Sequence, residues 1–209
     1  MVTGNPQTFF EIFSLPAHLV IDLPALEKSY YALSRKLHPD RFVSKSAEEQ
    51  TAALAESSRL NDAYRTLKDP IARTEYLLKL EGVEMEEQSK SATEAARASG
   101  TAKKQIVPED LLEEAFELNM QLEEMRAAKK MGEDDPQLRS DLLAAKAVFD
   151  AKLAATDSDL QTLHSQWDAA LDADDTTVKA AVRDAMIARL NQRSYLRNLV
   201  RDVNEALES

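Results

Sequence analysis

The sequence contains no cysteine, which excludes disulfides, thiol nucleophiles and the thiolate sets that hold zinc or iron–sulfur clusters. Glycine is scarce at 4 residues and proline modest at 7, while 30% of the chain is charged; that balance belongs to a helical protein rather than a β-rich one. No run of 18 apolar residues occurs, so no membrane-spanning helix is expected. The opening "MVTGNPQTFFEIF" has neither a basic n-region nor an apolar h-region, so the expectation is no secretory signal and a cytoplasmic protein. Positive charge is also short, 26 Lys and Arg against 37 Asp and Glu for a net of −11, and this argues against nucleic acid as a partner.

The deficit of positive charge is uneven. Residues 1–87 carry a net of −4, residues 108–209 a net of −10, and the stretch between them +3. Within the first part, residues 25–45 hold Lys28, Arg35, Lys36, Arg41 and Lys45 against only Glu27 and Asp40. Such a local excess is either an ordinary solvated helix face or a surface for an acidic protein partner.

Periodicity supplies the elements. Phe9, Phe10, Ile12 and Phe13 make a short apolar turn before Pro16. Asp22 is a helix cap with Pro24 in the first turn, and Leu26, Tyr30, Leu33 and Leu37 then fall on one helical face. Pro39 pushes His38 out of helical dihedrals and ends that helix. Another helix is expected from about Ala47 to Lys68, and a short fourth over "IARTEYLLKLEG", with Gly82 as its stop. Residues 84–107 lack large apolar side chains until Ile106 and read as a linker or a poorly packed helix. Pro108-Glu109-Asp110 opens a helix whose acidic start and basic end complement its dipole. Leu138, Leu142, Ala145, Phe149, Leu153, Thr156, Leu160, Leu163, Trp167 and Leu171 are spaced by 3 or 4, which predicts one helix of more than thirty residues. After "DADDTT", Val178, Val182, Met186, Leu190, Leu199, Val203 and Leu207 mark the last helix. The expected architecture is all-α: residues 1–83 as a first domain, 84–107 as a linker and 108–209 as a three-helix bundle.

The corner "SRKLHPDRF", residues 34–42, admits three uses. As a catalytic pair His38 and Asp40 would need a third group and a pocket, yet no Ser or Cys nucleophile motif accompanies them. As a metal site one His and one Asp are too few. As a recognition corner between two antiparallel helices, they would face a partner while the preceding basic helix supplies charge.

The order apolar helix, His-Pro-Asp, basic loop, long helix resembles a J domain, the module that stimulates ATP hydrolysis by heat-shock chaperone ATPases of the DnaK type. The resemblance spans roughly residues 8–80. The text "FFEIFSLPAHLVIDLPALEKSYYALSRKLHPDRF", followed by "LNDAYRTLKDPIARTEYLL", is similar to the iron–sulfur-cluster co-chaperones of the HscB type. A helical bundle directly after the J domain fits that branch, and the Gly/Phe-rich and cysteine zinc segments of general J-proteins are missing. The resemblance implies a co-chaperone rather than an enzyme, with no catalytic residue, metal or cofactor of its own. Its implied partners are an HscA/DnaK-type ATPase and an IscU-type iron–sulfur scaffold, and a monomer is expected. His38, Pro39 and Asp40 would form the essential loop, and Lys28, Arg35, Lys36 and Arg41 the basic contact surface. The alternative is a J-protein of the same ATPase class with a different client.

On the helix after Pro108, Leu111, Ala115, Leu118, Leu122 and Met125 form one apolar seam, and Leu112, Phe116 and Met120 a second stripe about 100° away. Two readings stay open for the stripe: contact with a second neighbour in the bundle, or an exposed patch for a client. In the co-chaperone family the scaffold docks on this helix and on the last one. The matching positions are Leu112, Phe116, Glu117, Met120, Glu124 and Tyr195. Met120 stands where the family commonly has an acidic residue, and Glu113 where it has an apolar one.

Overall fold

The computed structural model describes residues 7–83, 108–133 and 135–208. The expected 84–107 linker lies outside them. The described residues form an all-α structure without strands. Its helices are α1 (Phe9–Ile12), α2 (Leu23–Leu37), α3 (Ala47–Lys68), α4 (Pro70–Leu80), α5 (Leu112–Met131), α6 (Pro136–Asp172) and α7 (Thr176–Glu208).

Local chemistry sets most of these boundaries. Thr8 and Glu11 close a capping box on α1, and Ser46 and Glu49 close another on α3; each satisfies two backbone donors that the first turn leaves free. Asp22 accepts from Ala25 N–H at 3.0 Å, and Asp69 accepts from the N–H groups of Ile71 and Ala72 at 2.9 and 2.8 Å. Asp135 and Asp175 cap α6 and α7 in the same way. Gly132 ends α5 at φ 74°, and the amides of Gly132 and Glu133 return to the carbonyls of Lys129 and Ala128. That left-handed residue is one glycine adopts without a steric cost. The helix expected from Pro108 starts later: a single 3-10 turn, Glu109–Leu111, precedes α5.

By internal contacts the chain divides into two compact units, Met1–Met85 with His164–Arg183, and Glu86–Leu163 with Asp184–Ser209. The tip of the α6–α7 hairpin therefore groups with the N-terminal helices, although chain order puts it with the bundle. In the first unit α3 packs against α1, α2 and α4, and Phe10, Leu19, Leu26, Leu60, Leu67 and Leu77 are buried.

Polar contacts fasten the hairpin tip within this unit. Leu19 and Val20 donate their backbone N–H groups to the two carboxylate oxygens of Asp168, at 2.7 and 2.9 Å. The Trp167 indole donates to the Ala17 carbonyl at 3.4 Å, and Lys179 pairs with Glu81 at 2.9 Å. Thr74 donates its hydroxyl to Pro70 O at 2.7 Å, so its oxygen accepts from His164 Nε2–H, also at 2.7 Å. Burial, with the Arg73 guanidinium nearby, lowers the pKa of His164 to about 4. A buried imidazole beside a fixed cation stays neutral.

The second unit is built on one cluster. Leu111 of the 3-10 turn and Ala115, Leu118, Leu122 and Met125 of α5 meet Leu138, Leu142 and Phe149 of α6 and Leu196, Leu199 and Val203 of α7. The 3-and-4 spacing on each helix is the seam that such a bundle requires. Arg193 pairs with Asp157 at 2.6 Å across α6 and α7.

Candidate interaction surfaces

The His-Pro-Asp corner stands between two helices whose ends are well determined. His38 leaves α2 with φ −60° and ψ 129°, the extended geometry imposed on a residue before proline. Pro39–Phe42 then forms a 3-10 turn. Asp40 N–H donates to His38 Nδ1 at 3.3 Å. Asp40 Oδ2 is 3.4 Å from the same nitrogen. Both side chains are exposed, which leaves the imidazole and the carboxylate facing solvent as a pair. Arg41 turns back and donates to the Arg35 carbonyl at 3.3 Å, occupying one of the free acceptors at the end of α2. From α3, Gln50 donates to the carbonyls of Val43 and Lys45 at 3.2 and 3.0 Å.

Farther along the two helices, Tyr30 and Tyr64 stack with centroids 4.1 Å apart. Tyr30 also donates to Asn61 at 2.9 Å. These contacts hold α2 against α3, so the loop is displayed from a braced hairpin. Lys28, Arg35 and Lys36 are exposed on α2 and make no ion pair with a described residue. Lys28 and Arg35 are seven residues apart and share a face. Among the described residues no three His, Cys, Asp or Glu side chains cluster as a metal site would need.

The second candidate surface is on α5. Leu112, Phe116 and Met120 are 60%, 69% and 60% exposed, so the stripe is not packed against a second neighbour in the bundle. Glu117 and Glu124 are exposed on the same helix. Tyr195 is not brought to this surface. It is 8% exposed and belongs to the core cluster with Leu196 and Leu199. Burial and the nearby Asp202 raise its pKa. A Tyr side chain offers mostly ring surface to a core, and helical spacing alone does not separate a rim position from a buried one.

Residues 8–76 match the DnaJ domain family. That match covers the braced hairpin and its His-Pro-Asp loop. Two solved structures extend the likeness over nearly the whole length. The HscB chaperone from Vibrio cholerae is 25% identical with a TM-score of 0.58, over 96% of this chain and 98% of that one. The human co-chaperone protein HscB is 22% identical with a TM-score of 0.60, over 97% of this chain and 83% of that one; at this identity the likeness is one of fold. Residues 8–76 thus match a J domain, and the chain as a whole is similar in fold to HscB co-chaperones.

Proposed function

We propose that the protein acts in iron–sulfur cluster assembly, carrying an IscU-type scaffold to a heat-shock ATPase of the HscA/DnaK type and stimulating that ATPase. The observation that carries this reading is the exposed His38–Asp40 pair on a braced α2–α3 hairpin, within a chain matched end to end by an HscB chaperone. His38, Pro39 and Asp40 would engage the ATPase, steered by Lys28, Arg35, Lys36 and Arg41. Leu112, Phe116, Glu117, Met120 and Glu124 would seat the scaffold. Tyr195 could support that seat only from beneath. In this role the protein catalyses no reaction of its own. Residues 1–83 would be the ATPase-facing domain and 108–209 the client-facing one.

The test is single-turnover ATP hydrolysis by the ATPase partner. His38→Gln removes the imidazole from an exposed loop, so helicity should be unchanged while stimulation is abolished. A folded variant that stimulates like wild type would refute the mechanism. A lysate pull-down that recovers the ATPase with another client and no scaffold would favour the J-protein of different client.

A further inference from the structure

Among the described residues, two aromatic side chains are more than half exposed, Tyr31 and Phe116. Phe116 belongs to the α5 stripe. Tyr31 stands on α2, 55% exposed, and its hydroxyl has no hydrogen-bond partner among the described residues. Tyr30 and Tyr64, by contrast, donate theirs to Asn61 and Glu27. The Tyr31 ring is nonetheless held in place. It lies against Tyr30, tilted by 55° with centroids 5.5 Å apart, an arrangement that aromatic pairs favour. Tyr30 is itself stacked on Tyr64. Three rings therefore run from α3 across α2 to the surface, and the outermost is set before any partner arrives. A side chain ordered in advance loses less freedom on binding, and tyrosine is enriched among the residues that dominate interfaces.

The surrounding charges select what this ring meets. Lys28 and Arg35 stand three residues before and four residues after Tyr31, so the three share one helical face. Glu27, on the other side of Tyr31, is turned toward α3, where it accepts from the Tyr64 hydroxyl at 3.3 Å. We infer that Tyr31 anchors the ATPase on this face: its ring is covered by the partner, and its hydroxyl donates to a carboxylate that the partner presents to Lys28 and Arg35. The assignment rests on the ATPase-binding reading. An ionised carboxylate carries acceptors only, so it suits a site that offers two cations and a free O–H donor.

Single-turnover ATP hydrolysis by an HscA/DnaK-type ATPase, followed against the concentration of this protein, tests the anchor. The proteins compared are wild type, Tyr31→Phe, Tyr31→Ala, Tyr31→Glu and His38→Gln. Tyr31→Ala should raise the half-saturating concentration about thirtyfold and keep the maximal stimulation. Tyr31→Phe retains the ring and should raise it about fivefold. Tyr31→Glu should bind more weakly than Tyr31→Ala at low salt, with the gap closing at high salt. All three should keep the wild-type melting temperature, because the side chain is exposed. If the Tyr31 variants saturate at the wild-type concentration while His38→Gln abolishes stimulation, the anchor is overturned and the ATPase reading stands. The anchor falls equally if Tyr31→Phe matches wild type, if Tyr31→Glu matches Tyr31→Ala at low salt, or if Tyr31→Ala melts well below wild type. A wild-type protein that stimulates no ATPase of this class overturns both.

Discussion

Acidifying the protein should loosen its first unit through His164. This imidazole is 4% exposed, donates to Thr74 and has its pKa lowered from 6.5 to about 4. The folded-state pKa lies below the unfolded one, so the neutral ring is the form the fold stabilises. Above pH 6.5 both states hold it neutral and it gives no pH dependence. Between 6.5 and about 4 the unfolded chain takes up a proton that the folded chain refuses. Stability then falls by about 1.4 kcal/mol per pH unit, reaching a loss of about 3 kcal/mol once both states are protonated. Trp167, the sole tryptophan, is buried one turn from His164. Urea unfolding followed by its fluorescence reads this unit directly. His164→Gln keeps a donor toward Thr74 but cannot be protonated, so its stability should decline less steeply across that window. The two proteins are otherwise identical, so the difference between their profiles isolates His164. Parallel pH profiles for wild type and His164→Gln would refute the assignment.

The remaining expectations concern the other contacts. Asp168→Ala removes the acceptor of two backbone N–H groups and should destabilise the same Trp167 transition by about 3 kcal/mol, with Asp168→Asn intermediate because it keeps one acceptor; an alanine variant as stable as wild type would refute the role. Replacing Leu112, Phe116 and Met120 together by Ala should leave the melting temperature almost unchanged, as for exposed sites, whereas the single buried change Leu118→Ala should cost about 2–5 kcal/mol. The same triple variant should lose scaffold binding and still stimulate the ATPase when no scaffold is present; a stable variant that binds scaffold normally would move the client site elsewhere. Charge reversal at Arg35 and Lys36 should slow association with the ATPase most at low salt, since screening already weakens these charges at high salt; a salt-independent defect would rule out electrostatic steering.

Local signals carried the helices well. The Asp22 cap, Pro24 and the residue before Pro39 delimit α2 from sequence as they do in space, and the apolar positions from Leu138 to Leu171 fall within the single helix α6. Seams of one helix were legible because burial follows the 3.6 period. Two matters were not. Whether Leu112, Phe116 and Met120 face a neighbour or solvent depends on how many helices reach α5, which spacing on α5 does not encode. Trp167 reads as a bundle position, yet it and the nearby His164 have their partners in Ala17 and Thr74. Contacts between residues about 90 to 150 positions apart leave no periodic trace, and Asp168 had no feature to distinguish it from the other surface acids.

Asp168 also bears on how this chain tolerates change over generations. Its carboxylate binds the main chain at Leu19 and Val20 and not their side chains. At the exposed Val20, replacement by any residue except proline keeps the donor, so spelling there is free to drift. Adding or deleting one residue in the segment between α1 and α2 is different, because it shifts which amides meet the carboxylate and carries Leu19 out of its buried place. The segment should therefore accept substitution readily and length variation poorly, and a library of both kinds, sorted for folded protein, would show that asymmetry.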